Sequence, residues 1–351
     1  AHHRPRRGSL CMSLDSMESV GILARTLRVL STHGPKWLLA PGPARSVTHA
    51  STSSATGAPG PLSEGAGEVL LDAYATCCRD PYKKGKTAPQ DWRGPEYCNF
   101  DCGEDSFVTT SHVLGVADGV GGWRSEGVDP AVFANRLMQH CKAIVEEEHV
   151  RDPTALMRKA YDRIVETRDP EKGSSTACLA SITDHGDLTV ANLGDSGLIV
   201  VRDGQCVFQS PEKSWAFNTP YQLTAVPKAW PWGRYGDQPE DSVVASVRVR
   251  PGDWVVLGSD GLFDNLYPAH IATIVKKAEE MPGGCSPRQM AEVLKAQALL
   301  YSQQISWASP FQAEAKAHGV QYTGGKPDDI TVIAAQVKPR PSGAADGMRQ
   351  P

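Results

Sequence analysis

Five short segments of the 351-residue chain set carboxylates beside glycines at the ends of apolar runs. They are "GEDSF" (103–107), "VADGVGG" (116–122), "NLGDSG" (192–197), "GSDGLFDN" (258–265) and "GGKPDDITV" (324–332). One Asp-Gly after a strand is ordinarily a turn. Five such places, each against a run that has to be buried, bring carboxylates together. Carboxylates so gathered repel one another unless cations neutralise them. Hard oxygen ligands select Mg²⁺ or Mn²⁺ over zinc. Glycines let the backbone turn without steric cost and let a carbonyl oxygen approach an ion. Two ions about 3.5–4 Å apart activate a bridging water and clamp a phosphoryl oxygen. The chemistry expected of these residues is two-metal hydrolysis of a phosphate ester, with Asp118 of "VLGVADGVGGWR" (113–124) bridging the ions.

The elements that must position these carboxylates are short strands and paired helices. Strand-like runs cover 106–110, 113–117, 176–183, 188–193, 198–202 and 206–210, then 242–249, 253–259 and 330–337. Turn residues at Asp184–Gly186, Asp203–Gly204 and Pro251–Gly252 join several of them as antiparallel hairpins. Helical patterns span 130–149, 153–167, 268–280 and 286–304, three of them opening on proline. Helices that come in pairs between blocks of strands predict segregated layers, an α+β fold, rather than alternating βαβ units.

Composition narrows the function classes. A formal net charge of −4 argues against a nucleic-acid binder. No apolar run reaches the roughly 18 residues that span a bilayer. The nine cysteines form no CxxC pair; the expectation is mostly reduced thiols, with Cys178 and Cys206 in the core and no zinc site from Cys77, Cys78, Cys98 and Cys102. Residues 1–67 differ from the rest. Between Met12 and Leu62 the acids are only Asp15 and Glu18, against Arg25, Arg28, Lys36 and Arg45, and Val20, Leu23, Leu27 and Leu30 share a helical face. This reads as an organelle transit peptide and disordered linker, mitochondrial with a plastid as the alternative. The expected organisation is therefore 1–67 targeting segment and linker, 68–338 catalytic domain and 339–351 tail, with a monomer as the default state.

The ordered set ED, DGxxGG, GSSTA, NLGDS, SDGLFD and PDDITV resembles the metal-dependent type 2C Ser/Thr protein phosphatase family over about Leu71 to Val337. "GVGGWR", "FNTPYQL" (217–223) and "GGKPDDITV" are similar to the mitochondrial branch of that family. The resemblance implies a four-layer α-β-β-α sandwich, two antiparallel sheets flanked by helix pairs, with a binuclear Mn²⁺/Mg²⁺ centre between the sheets. It implies that Asp118 bridges both metals, that the Gly119 carbonyl binds one, and that Asp260 and Asp328 complete the other. Glu104 serves the Gly119 metal, Asp105 supports it, and Asp195 with Asp260 holds a weaker third ion. Asp264 and Asp329 are expected in capping or turn roles. The implied reaction is one-step, in-line attack on phosphoserine or phosphothreonine in protein substrates by water activated between the metals, with Asp118 and Asp260 as its central residues.

Two departures stand out. Family members often place His directly after the Asp-Gly pair; here Val120 follows. They also often carry a phosphate-binding Arg upstream of the acidic pair; the basic residues there are Lys83, Lys84 and Lys86, expected as a solvated loop. The Trp-rich segment 214–242, with Trp215, Trp230 and Trp232, is either a packed surface loop or a flap that contacts substrate. Rival readings compete for the same residues. A serine protease built on "GDSG" lacks the second glycine, Leu198 following instead. A catalytically dead fold used as a binding module has Val120 in its favour and the intact carboxylates against it.

Overall fold

The structure, a computed structural model, describes residues 68–83, 91–97, 100–227 and 236–341. The targeting segment and linker expected over 1–67, Lys84, Lys86, Cys98, Trp230, Trp232 and the tail from 342 lie outside the described residues.

Strand periodicity builds the layers. In β3 (Val113–Asp118), Leu114 and Val116 point to one apolar cluster while Val113 and Ala117 point to another. Alternate residues face opposite sides of a strand, so a run that is apolar at every position must be covered on both faces. The same holds for β5 (Ala177–Ile182) and β13 (Trp254–Gly258), buried at every position.

Two five-stranded sheets result. One has the order β1-β14-β13-β7-β8, from β1 (Val69–Cys78), β7 (Gly197–Arg202), β8 (Gln205–Gln209), β13 and β14 (Ile330–Pro339). The other has the order β12-β6-β5-β3-β2, from β2 (Asp105–Thr109), β3, β5, β6 (Asp187–Leu193) and β12 (Val243–Arg248). Two short pairs accompany them, β4 (Gly173–Ser175) with β11 (Leu223–Ala225) and β9 (Ser214–Ala216) with β10 (Thr219–Pro220). Neighbouring strands in the two large sheets all run antiparallel.

The sheets pack face to face over a core that includes Phe107, Leu114, Val116, Val190, Val200, Leu257 and Ile333. Helices α1 (Ala131–Glu148) and α2 (Pro153–Thr167) cover the outer face of the β3–β5 sheet with Phe133, Leu137, Met138, Leu156 and Ile164. Helices α4 (Pro268–Glu279) and α5 (Pro287–Ser302) cover the other sheet with Ile271, Val275, Met290 and Leu294. Each large apolar side chain buried this way contributes roughly 1.5–3 kcal/mol. This is the expected α-β-β-α sandwich. Local capping matches the helix starts. Asp152 accepts from Ala155 N ahead of Pro153, and Ser286 forms a capping box with Gln289 ahead of Pro287.

Three features depart from the expectations. Strand β1 was not anticipated: its partner β14 lies at the far end of the domain, with Val69 opposite Pro339. Helix α6 (Pro310–Ala317) was also missed, although Ser309 and Pro310 form a start signal, Ser309 Oγ accepting from Gln312 N. Cys77 and Cys102, not singled out as a pair by the sequence, form a disulfide with Cα atoms 5.1 Å apart at a sequence separation of 25, while Cys78, Cys141, Cys178, Cys206 and Cys285 are free thiols. The end of β1 and the approach to β2 meet only when the two sheets stack. Cys178 is buried as expected, whereas Cys206 is only partly so.

Candidate active site

Strand register brings the first carboxylates together. In the β2–β3 ladder Asp105 lies opposite Asp118, at the end of both strands. Just ahead of β2, Glu104 is buried, its main-chain oxygen accepting from Gly119 N at 3.2 Å. The Asp118–Gly119 peptide is further fixed by Thr176, whose N donates to Asp118 O (2.9 Å) and whose Oγ1 accepts from Asp118 N (3.2 Å). From the second sheet, β13 ends at Gly258, and Asp260 opens the one-turn helix α3 (Asp260–Phe263). Asp328 and Asp329 immediately precede β14. Ser259 Oγ donates to Asp105 Oδ2 at 2.7 Å and so links the sheets directly.

The side chains converge. The Asp118 carboxyl is near enough to Asp105, Asp260 and Asp328 to feel their charge. The Lys83 ammonium touches Glu104 Oε2 (2.7 Å), Asp328 Oδ1 (2.6 Å) and Asp329 Oδ2 (3.0 Å). The Lys326 ammonium touches Asp260 Oδ2 (2.5 Å) and Asp264 Oδ2 (2.7 Å), with Asp328 Oδ2 at 3.4 Å. Arg124 Nε donates to Glu104 Oε1 at 2.7 Å. Glu104, Asp118, Asp260 and Asp328 therefore meet in one cleft at the strand ends, around two positive charges. Among the described residues no three His, Cys, Asp or Glu side chains are spaced to close directly on an ion. The two ammonium groups stand between the carboxylates.

Two expectations need correction. Lys83 is no solvated loop residue; it is the upstream basic group of the acidic cluster. Asp329 is no simple turn residue. Its Oδ1 accepts from Asp80 N (2.7 Å) and its Oδ2 from Glu104 N (2.8 Å), which ties two distant loops to β14. Lys326 of "GGKPDDITV" has no role in the sequence reading, because its partners Asp260 and Asp264 lie 66 and 62 positions away along the chain. Asp195 sits between β6 and β7, near enough to Asp260 to feel its charge.

The electrostatics follow from crowding. Burial raises Asp105 and Asp118 well above the usual carboxylate range, and neighbouring carboxylates push the same way, Asp329 on Asp105 and Asp105, Asp260 and Asp328 on Asp118. Burial and Asp260 likewise raise Asp195 and Asp328. Burial also works against Asp260, but Lys326 and Lys83 overcome it and hold that carboxyl low. Asp264 is pushed up to about 7 by burial in spite of Lys326. In metal-free protein the folded state thus keeps a proton on Asp264 that the unfolded chain releases near pH 4. The stability this contributes is lost as pH rises through about 7. The melting midpoint in EDTA is expected to fall between about pH 5 and about pH 8, and a flat or rising midpoint would contradict that balance.

An all-oxygen donor set fits hard divalent cations. Asp260 Oδ1 is buried with no hydrogen-bond donor offered to it, and repelling carboxylates surround it. These are the marks of a cradle for positive charge.

Residues 110–338 match the family model described as Stage II sporulation protein E (SpoIIE). A protein named "Protein phosphatase PTC7 homolog fig" from Drosophila ananassae is 38% identical over 282 residues, 76% of this chain and 83% of the relative. Its namesake from Drosophila erecta is 40% identical over 273 residues, 74% of this chain and 85% of that one. This chain belongs to the type 2C family of protein-serine/threonine phosphatases. Among solved structures, that of the photosystem II phosphatase PBCP superposes with a TM-score of 0.62 at 31% identity, covering 77% of this chain and all of that one. That superposition takes in the double-sheet sandwich described here, and in this chain the acidic cleft lies where the two sheets meet.

Proposed function

We propose that this phosphatase hydrolyses phosphoserine and phosphothreonine in proteins with two divalent cations, Mn²⁺ or Mg²⁺. The observation that carries the proposal is the meeting of Glu104, Asp118, Asp260 and Asp328, from four separate segments, around two ammonium groups. Asp118, the Gly119 carbonyl, Glu104, Asp260 and Asp328 would hold the two ions, Asp118 being shared between them, and Asp195 with Asp260 would offer a weaker third position. Bound there, the ions activate water for in-line attack and offset charge on the phosphoryl oxygens.

The chain's own residues do the positioning. Ser259 and Thr176 hold Asp105 and the Asp118–Gly119 peptide in place. Asp329 clamps the backbone of Glu104. Lys83, partly exposed at the cleft, is the group placed to take a phosphoryl oxygen once divalent ions hold the carboxylates. Val120 carries no transferable proton, so protonation of the leaving group falls to another donor. The acid-poor, Arg-bearing composition of residues 1–67 supports import into an organelle, the mitochondrial matrix in preference to a plastid, with residues 68–338 acting as a monomeric catalytic domain.

The test is direct. A phosphothreonine peptide is hydrolysed in Mn²⁺, and excess EDTA lowers the rate by at least about 10²-fold, because it removes the charge that stabilises the transition state. Full activity in EDTA would sink the two-ion reading.

A further inference from the structure

A groove of about 860 Å³ opens beside Val120, one residue from Gly119, and is walled by Trp123, Glu126, Trp215, Gln222 and Asp237. The two indoles are pinned by one hydrogen-bonded chain. Trp123 Nε1 donates to Ser174 Oγ (2.6 Å), and Ser174 Oγ donates to Gln222 Oε1 (2.6 Å). Gln222 N donates to Asp237 Oδ2 (2.8 Å), and Trp215 Nε1 donates to Asp237 Oδ1 (3.2 Å). Ser174 also accepts from Val120 N through its main-chain oxygen (3.0 Å), so the chain is anchored to the loop carrying Asp118 and Gly119.

Trp215 is 67% exposed, yet its ring is fixed. It stacks on Tyr221 with centroids 4.5 Å apart and planes 10° from parallel, and Lys213 Nζ lies 4.5 Å from the Tyr221 centroid. An exposed indole held flat without burying its second face is a platform that lacks its partner. The charged side chains among the described residues lining this groove are Glu126 and Asp237, both acidic.

We infer that this groove seats a lysine or arginine of the protein substrate, close in sequence to the phosphoresidue, with its cation over Trp215 and its charge facing Glu126 and Asp237. A cation over an indole face is favoured most where the ring is already ordered and an anion stands nearby. Asp237 is committed to Trp215 and Gln222, which leaves exposed Glu126 as the adaptable anion. Because Val120, two residues from Asp118, lines the groove, its occupant is a segment of the molecule being dephosphorylated. The inference rests on the phosphatase reading and adds a substrate class to it.

Two phosphothreonine peptides test it, one with arginines flanking the phosphoresidue and one with alanines there. The wild-type chain is expected to favour the arginine peptide in kcat/KM by about tenfold, mainly through KM. Trp215→Ala is expected to collapse that ratio to within about twofold, Glu126→Gln to reduce it, and Trp215→Phe to keep most of it. Fluorescence anisotropy of the labelled peptides in EDTA supplies a readout independent of turnover. A wild-type ratio near one by both methods, or a ratio that survives Trp215→Ala, overturns the groove assignment and leaves the phosphatase reading intact. Selective binding without any hydrolysis overturns the phosphatase reading and leaves the groove.

Discussion

Asp118→Asn is expected to lower kcat/KM for a phosphothreonine peptide by at least about 10²–10³-fold. The substitution keeps the side chain's shape and both main-chain contacts to Thr176. What it removes is one negative charge from a cluster in which burial, Asp105, Asp260 and Asp328 already resist ionisation. In metal-free protein that removal relieves repulsion, so the melting midpoint is expected to stay level or rise. The rise in midpoint produced by Mn²⁺ should shrink sharply, since a ligand stabilises only in proportion to its affinity for the folded state. Activity and metal-dependent stability therefore fall together while intrinsic stability does not. A variant within tenfold of wild-type activity would show that Asp118 does not hold the catalytic ions. A variant that is inactive because its metal-free midpoint has dropped would show a structural role instead.

Gly119→Ala is expected to destabilise the fold by about 1–3 kcal/mol and to abolish most activity. A Cβ at position 119 would lie 2.4 Å from Pro130 O and 2.9 Å from Glu104 O. Both obstacles are backbone, one at the entry to α1 and the other beside β2, and neither can swing aside as a side chain would. The peptide between Asp118 and Gly119 would have to move, carrying the Asp118 carboxylate and the carbonyl with it. Gly122→Ala, three residues on, supplies the control: nothing lies within 4 Å of a Cβ there. Its expected effect on stability is within about 0.5 kcal/mol. Thermal melts of the two variants, alongside phosphopeptide hydrolysis, separate crowding at the cleft from a general intolerance of this loop. Equal behaviour of the two would refute the argument.

Much of the frame was legible in the chain itself. The acidic clusters that hold Asp118, Asp260 and Asp328 stand out in the sequence because each follows or precedes a run too apolar to be exposed, while the roles of Asp260 and Asp328 come from the family resemblance. The helices over 131–148 and 153–167 announced themselves through periodicity and, for the second, the Asp152-Pro153 start. Lys83 and Lys326 were misjudged or passed over for one reason: a lysine in a polar segment looks the same whether it faces water or carboxylates 245 residues away, as Lys83 faces Asp328. Asp329 reads as a turn or capping residue in the sequence because its partners, the amides of Asp80 and Glu104, are equally remote. The sequence leaves segment 214–242 open between a packed surface loop and a substrate-contacting flap, since the stacking of Trp215 on Tyr221 and its bond to Asp237 arise from a loop that doubles back.

By itself the amino-acid order determined which segments become buried strands, which become amphipathic helices, and which carboxylates stand at strand ends, because these depend on the spacing of residue types along a local stretch. Only the tertiary fold decided that β1 pairs with β14 within one sheet, that Cys77 meets Cys102, and that two lysines enter the acidic cleft. Those contacts are set by the burial of apolar faces tens to hundreds of residues apart, and no local pattern records the partner.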